Sequence, residues 1–233
     1  MATMDSISAS RAEIAVSEFM TQVYVWMAFG LSVTGGLSWY TANSKPFMNM
    51  LFGHGMTTFW VLAIVQIGIV FFLSAKAATL NPTVASGLFV LYAALNGMLL
   101  APMFMVYTDQ SIASAFFITA GTFGAMSVYG YTTKRDLSGW GSFLMMGLIG
   151  VIIASVVNIW MRNEMMMWVI SYITVFVFVG LTAYDTQKLK NIARNLGKDE
   201  NLRSNIAIVG ALTLYLDFIN LFITILRITG KRR

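Results

Sequence analysis

The sequence predicts an all-α membrane protein with seven transmembrane helices, and two observations lead to that class. Of the 233 residues, 58% are hydrophobic and 11% are charged, whereas a soluble domain is about 45–50% apolar and about 25% charged. The charged residues also leave long uncharged intervals, and a further stretch, 204–226, is interrupted only by Asp217. The uncharged intervals are 19–44, 46–75, 77–108, 110–133, 137–161 and 165–184.

Each of these stretches is long enough to cross a bilayer, because a transmembrane helix needs roughly 20 mostly apolar residues. The polar alternation of a membrane β-strand is not visible, and a helix satisfies its own backbone hydrogen bonds in lipid. We therefore predict an N-terminal tail over residues 1–19 and a seven-helix transmembrane domain over residues 20–233. In chain order the predicted spans are 20–42, 57–75, 83–106, 112–133, 139–160, 165–187 and 205–228.

Proline, glycine and capping residues refine the prediction for individual helices. Pro82 lies at the start of the third span, where its missing N–H is harmless. Pro102 lies inside the same span and predicts a kink or a break there. Between the last two spans, Gly197 is the predicted end of one helix, and Asp199 or Asn201 is the predicted cap of the next.

The Lys and Arg residues in the loops predict the orientation, because cytoplasmic loops are enriched in them. With seven spans, more of these residues fall on the side of the N-terminus than on the other side. This favours a cytoplasmic N-terminus and an external C-terminus. The basic residues 231–233 favour the opposite side for the C-terminus, and a re-entrant last segment would place both ends inside.

The composition also excludes several kinds of chemistry. The chain has no cysteine, which excludes disulfides and thiolate metal sites, and its single histidine, His54, excludes a histidine cluster. The net charge of +5 is carried by residues that flank the spans, so it reflects topology and not a nucleic-acid partner. We expect no resident cofactor, and we expect the lipid bilayer as the main partner.

The last predicted span carries a polar stripe whose members recur every three or four residues, which is one face of a helix. Lipid cannot form hydrogen bonds with such a face, so we expect the seventh helix to be central in the bundle, with the sixth beside it. The stripe consists of Gly210, Thr213, Asp217, Asn220, Thr224 and Arg227, and the sixth span has a weaker one at Ser171, Thr174, Thr182 and Asp185.

Asp185 and Asp217 are the only acidic residues inside the predicted spans. Measured from the turn between their helices at 1.5 Å per residue, they lie at depths of roughly 18 and 24 Å, so antiparallel neighbours can bring them together. Two carboxylates in contact do not both ionise readily and share one proton instead. The alternative is two separate aspartates, each paired with a nearby cation or hydroxyl group.

Four motifs resemble those of the transmembrane Bax inhibitor motif family, in its bacterial branch. They are Tyr129–Ser138, Asn96-Gly97 through Pro102, Ala183–Gln187 and Leu214–Phe222. The similarity runs from about residue 20 to the C-terminus. It implies two three-helix layers around a central C-terminal helix, and a multi-pass protein of the bacterial inner (cell) membrane.

The same resemblance implies a pH-sensitive leak for calcium or other cations, gated by a hydrogen-bonded aspartate pair at Asp185 and Asp217. Family members can also carry an arginine in the second span that is linked to the aspartates. Here that span offers only Gln66, with Lys76 at its end. The arginine latch therefore does not transfer to this chain.

The leading functional hypothesis is thus a non-enzymatic cation leak in which Asp185 and Asp217 sense pH and form the gate. Calcium prefers six to eight oxygen ligands, so the two aspartates would give only a weak, transient calcium site. Thr213, Asn220 and Thr182 are the candidate ion path.

Two other hypotheses remain open. One is a membrane-embedded regulator of a protease or of a cell-death partner, with the tail 1–19 as its handle. The other is an intramembrane aspartyl protease, which needs two carboxylates. Tyr184-Asp185 matches the first motif of such enzymes, but Leu214–Asp217 lacks the glycines of the second.

Overall fold

The structure is a computed structural model that describes residues 4–53, 57–197 and 199–233. Over these residues the chain forms eight α-helices and no β-strand, which confirms the predicted all-α class. Seven of the helices, all except the second, are long and apolar enough to cross a membrane. The helices are α1 (Met4–Asn43), α2 (Lys45–Phe52), α3 (Thr57–Lys76), α4 (Pro82–Val106), α5 (Asp109–Thr132), α6 (Ser138–Met161), α7 (Glu164–Asn195) and α8 (Glu200–Thr229).

Each predicted span coincides with one long helix, and the differences lie at the ends. Helix α1 begins within the predicted tail, and its apolar span begins at Glu13 instead of residue 20. The sequence does not predict the short helix α2, which has a proline in its first turn. Helix α4 continues through Pro102 to Val106, so a break at Pro102 is wrong. Asp199 is the residue that caps α8, because its Oδ1 accepts hydrogen bonds from the backbone N–H groups of Asn201 and Leu202 at 3.0 and 3.2 Å.

The chain divides into two compact units, which the long helices α7 and α8 both enter. Unit 1 comprises Met1–Val106 and Asn191–Tyr215, and unit 2 comprises Tyr107–Lys190 and Leu216–Arg233. Each unit therefore holds three of the first six spans together with part of the last helix. Helix α8 is the most buried span, with 61% of its apolar window inside the protein against 33% or less for the others. The predicted burial of the last helix is confirmed.

In unit 1, helices α1 and α4 approach each other closely because a glycine lies at the contact. A side chain at Gly97 would place its Cβ 2.6 Å from the carbonyl oxygen of Thr34. The Ser38 hydroxyl donates a hydrogen bond to the Gly97 carbonyl at 2.7 Å across the same contact. Small residues therefore perform the role expected of them in lipid, where they let helix backbones touch.

Unit 2 uses the same device between α5, α6 and α7. A Cβ at Gly130 would overlap the carbonyl oxygen of Ala183, and a Cβ at Gly141 would overlap the ring of Tyr184. The C-terminal residues also attach to the start of α5: the carbonyl of Lys231 accepts from the Thr108 N–H at 3.1 Å. These contacts fix the helices around Asp185, which follows Ala183 by two positions.

Candidate functional site

The structure brings Asp185 of α7 and Asp217 of α8 together within unit 2. Their side chains are hydrogen-bonding neighbours, and both are buried, with 8% and 5% of their surface exposed. The depth argument from the sequence allows this meeting, and the family resemblance implies it. The alternative of two separate aspartates does not describe the geometry.

Two carboxylates have only acceptor oxygens, so a hydrogen bond between them requires a proton on one of the two. Among the described residues, no donor reaches the buried Oδ2 atom of Asp217. Lys188 acts electrostatically on Asp185, and its Nζ lies 5.8 Å from the centroid of the Tyr184 ring. No ion pair between Lys188 and Asp185 is found among the described residues. The geometry therefore favours a singly protonated pair over two ionised groups.

The residue that follows Asp217 packs against aromatic side chains of α5. The adjacent Phe218 packs edge-to-face against Phe116 and Phe123, with ring centroids 5.6 and 5.5 Å apart. A second negative charge on the pair would be costly there, because charges in a low-dielectric interior repel strongly.

Gln187 connects the neighbourhood of the pair to the segment between α5 and α6. Its Oε1 accepts a hydrogen bond from the Leu137 N–H at 2.9 Å, and its Nε2 donates to the Arg135 carbonyl at 2.8 Å. Sequence reasoning quotes Gln187 within a motif but does not identify this role. The only feature of the sequence that pointed to this role was an amide side chain two positions after Asp185, because an amide can both donate and accept hydrogen bonds.

The three residues of the candidate ion path use their donors within their own helices. Thr182 donates to the Phe178 carbonyl at 2.8 Å, Asn220 to Leu216 at 2.8 Å and Thr213 to Val209 at 3.1 Å. Thr182 and Asn220 belong to unit 2 with the aspartates, whereas Thr213 belongs to unit 1. Their oxygen atoms keep acceptor capacity, but none of the three is aligned by a bond to another helix.

The described residues contain no group of three or more His, Asp or Glu side chains that could hold a metal ion. Two carboxylates provide fewer ligands than calcium prefers. The pair is therefore better suited to weak, transient cation binding than to tight binding. His54 lies outside the described residues. In α3, Gln66 is buried, and its Nε2 has no hydrogen-bond partner in the described part of the chain.

Unit 1 contains a second buried polar cluster, around Tyr215, that sequence reasoning missed. The Tyr215 hydroxyl accepts from Asn96 Nδ2 at 2.7 Å and lies 2.7 Å from Thr34 Oγ1. Thr34 donates its own proton to the Ala93 carbonyl at 2.9 Å, so Tyr215 is the donor to Thr34. Burial of all three side chains makes this a neutral network that joins α1, α4 and α8.

The fold and this site define a polytopic α-helical membrane protein with an aspartate pair buried between its last two helices. The family described as "Inhibitor of apoptosis-promoting Bax1" matches residues 16–233 of the sequence. The chain therefore belongs to the Bax inhibitor family, which confirms the resemblance carried by its motifs.

Full-length similarity to bacterial membrane proteins agrees with this assignment. The chain is 52% identical to the inner membrane protein YbhL of Escherichia coli K12 over 230 residues, which cover 98% of this chain and 97% of YbhL. It is 40% identical to an uncharacterized protein of Borreliella burgdorferi over 231 residues, with 99% of both chains covered. An uncharacterized membrane protein of Streptococcus pyogenes is 34% identical over 229 residues, covering 97% of this chain and 98% of its own. With seven membrane-spanning helices, the chain is a multi-pass inner membrane protein.

Proposed function

We propose that the protein is a pH-sensitive cation leak, with calcium as a permeant ion, and that Asp185 and Asp217 form its gate. The observation that carries the proposal is the direct contact of two buried carboxyl groups on two membrane-spanning helices. Ionisable residues inside the membrane are costly and are functional candidates for that reason. Family membership supports the same assignment.

The gate follows from the charge state of the pair. One shared proton gives a hydrogen bond that holds α7 and α8 together. Loss of that proton leaves two like charges in contact, and their repulsion loosens the helices. The charged groups that act on the pair include the two aspartates on each other and Lys188 on Asp185.

A loosened pair also provides what a permeant cation needs. Two carboxylates attract a cation, and the oxygen atoms of Thr182 and Asn220 lie on the same two helices. Conduction requires binding that is favourable enough for entry and weak enough for exit. A ligand set smaller than the preferred calcium shell meets the second condition.

We propose that the pair has no catalytic role. Helix α8 is continuous from Glu200 to Thr229 through Asp217, so its backbone hydrogen bonds are closed at the aspartate. An intramembrane protease must open the membrane helix of its substrate beside the two carboxylates and supply water to them. Nothing in the path of α8 past Asp217 favours that arrangement.

The test is calcium flux through the full chain in proteoliposomes, measured between about pH 5 and about pH 8. Wild-type flux is expected to rise with pH. In Asp185→Asn or Asp217→Asn the amide donates a hydrogen bond without titrating, so the pair stays joined. Flux at about pH 8 should then fall to the level that the wild type shows at about pH 5.

The matched control is Glu164→Gln, which removes one negative charge from an exposed position at the start of α7. This variant should keep the wild-type pH response. A rise of flux with pH that persists in both Asp variants would show that the pair is not the gate.

A further inference from the structure

A groove of about 340 Å³ lies in unit 2, apart from the aspartate pair, among α5, α6 and α7. We call it the interfacial groove. Aromatic side chains line it from all three helices, namely Tyr129, Trp140 and Tyr184. Gly180 and Ala183 of α7 contribute little side-chain volume to its wall, and Leu144 of α6 packs directly against Gly180.

Two opposite charges stand at the mouth of the interfacial groove. Arg135 and Asp136, from the segment between α5 and α6, both line it and are both exposed. Hydrogen bonds from the hydroxyl and the N–H of Ser138 lower the pKa of Asp136, so this carboxyl stays ionised near neutral pH. The described residues show no ion pair between Arg135 and Asp136, so these two charges are not neutralised by each other.

We expect the groove to lie at the boundary between headgroups and acyl chains, because part of its lining comes from the ends of two apolar helices. Its mouth lies between the end of α5 and the start of α6, two helices that are long and apolar enough to cross a membrane. Met126 and Leu144 line it deeper, about 9 Å along their helices from those ends at 1.5 Å per residue. Trp140 and Tyr129 are 57% and 44% exposed, as expected for aromatic residues at a membrane interface.

We propose that the interfacial groove binds a phospholipid whose headgroup carries a primary ammonium. One acyl chain occupies the apolar space, the phosphate contacts Arg135, and the ammonium contacts Asp136. A guanidinium presents a planar fork of donors to phosphate oxygens, and a primary ammonium has three N–H donors for a carboxylate. This inference is independent of the proposed ion leak.

The test is native mass spectrometry of the full chain in detergent, with lipids that share acyl chains and differ in headgroup. Phosphatidylethanolamine carries the primary ammonium. Phosphatidylcholine carries a quaternary ammonium that cannot donate a hydrogen bond, and phosphatidylglycerol carries no amine. Phosphatidylethanolamine should be retained about two- to fivefold more than either of the others, as expected for a partly exposed charge contact.

Variants separate the two charges at the mouth. Asp136→Asn should remove the preference for phosphatidylethanolamine over phosphatidylglycerol, and Arg135→Gln should weaken retention of all three lipids. Lys134→Gln is the matched control for Arg135→Gln, because Lys134 is an exposed cation in the same segment that does not line the groove.

Several results would overturn the proposal. Equal retention of the three lipids would mean that the headgroup is not recognised. A preference for phosphatidylglycerol would indicate a simple basic surface, and a preference for phosphatidylcholine would indicate capture of a quaternary ammonium by the aromatic rings. An equal loss of lipid retention in Lys134→Gln and Arg135→Gln would show that the groove does not bind the lipid phosphate.

Discussion

The two buried polar clusters on helix α8 differ in kind, although Tyr215 and Asp217 are only two positions apart in the chain. The cluster in unit 1 joins Tyr215, Asn96 and Thr34, which are all neutral, and the Tyr215 hydroxyl both donates and accepts. The cluster in unit 2 joins two acids and leaves the Oδ2 atom of Asp217 without a donor among the described residues.

This difference separates a permanent contact from a conditional one. Each hydrogen bond of a neutral network contributes about 0.5–1.5 kcal/mol, and buried donors and acceptors left unpaired cost more. The unit 1 network therefore contributes at any pH near neutrality. The acid pair contributes only while it holds a proton, because its own atoms supply no donor otherwise. One helix thus carries a fixed contact and a pH-dependent one.

The largest expected effect comes from the glycines that let helices touch in each unit. Gly97→Ala and Gly130→Ala would each press a Cβ against a backbone carbonyl, so each should lower the free energy of unfolding by about 1–3 kcal/mol. Only Gly130→Ala should also alter the pH response of calcium flux, because its contact residue Ala183 lies two positions before Asp185.

Unfolding in detergent measures the first effect, and proteoliposome flux measures the second. Gly121→Ala is the control, since it is on α5 like Gly130 and a Cβ there meets nothing within 4 Å. If Gly130→Ala were as stable as Gly121→Ala, the close approach of α5 to α7 would not limit packing.

A smaller effect is expected from Tyr215→Phe, which leaves Asn96 without its acceptor and Thr34 without a donor. It should cost about 1–2 kcal/mol, and the same amount at about pH 5 and about pH 8, because none of the three side chains changes charge in that range. Thermal unfolding at the two pH values measures this cost.

Asp217→Asn should behave differently in the same assay. At about pH 5 the wild-type pair already has its hydrogen bond, whereas at about pH 8 the substitution removes a repulsion. The variant should therefore gain stability relative to the wild type as pH rises. If the stability change caused by Tyr215→Phe depended on pH as strongly as that caused by Asp217→Asn, the two clusters would not differ in kind.

The smallest effect is expected for an exposed ion pair of unit 2, which shows how much an unburied charge contact contributes to stability. Arg233 and Asp109 form an ion pair at 2.7 Å, but their side chains are 50% and 82% exposed. Arg233→Gln should change the free energy of unfolding by less than about 1 kcal/mol, and high salt should erase the difference. A large, salt-resistant loss would show that the C-terminal attachment is a major structural contact.

The sequence by itself determined the seven spans, the burial of the last helix and the similar depths that allow Asp185 and Asp217 to meet. These follow from local rules: the length needed to cross lipid, the helical period of a polar stripe and the rise per residue. These rules did not predict helix α2, because it is too short to cross lipid.

Only the tertiary structure decided which side chains complete each cluster. Gln187 reaches its two backbone partners across 50 and 52 positions of sequence, and Tyr215 reaches Asn96 and Thr34 across 119 and 181. The interfacial groove likewise needs residues from three helices at once. Hydropathy assigns each helix to the membrane without fixing its neighbours or its rotation, because those depend on packing between helices that are distant in the chain.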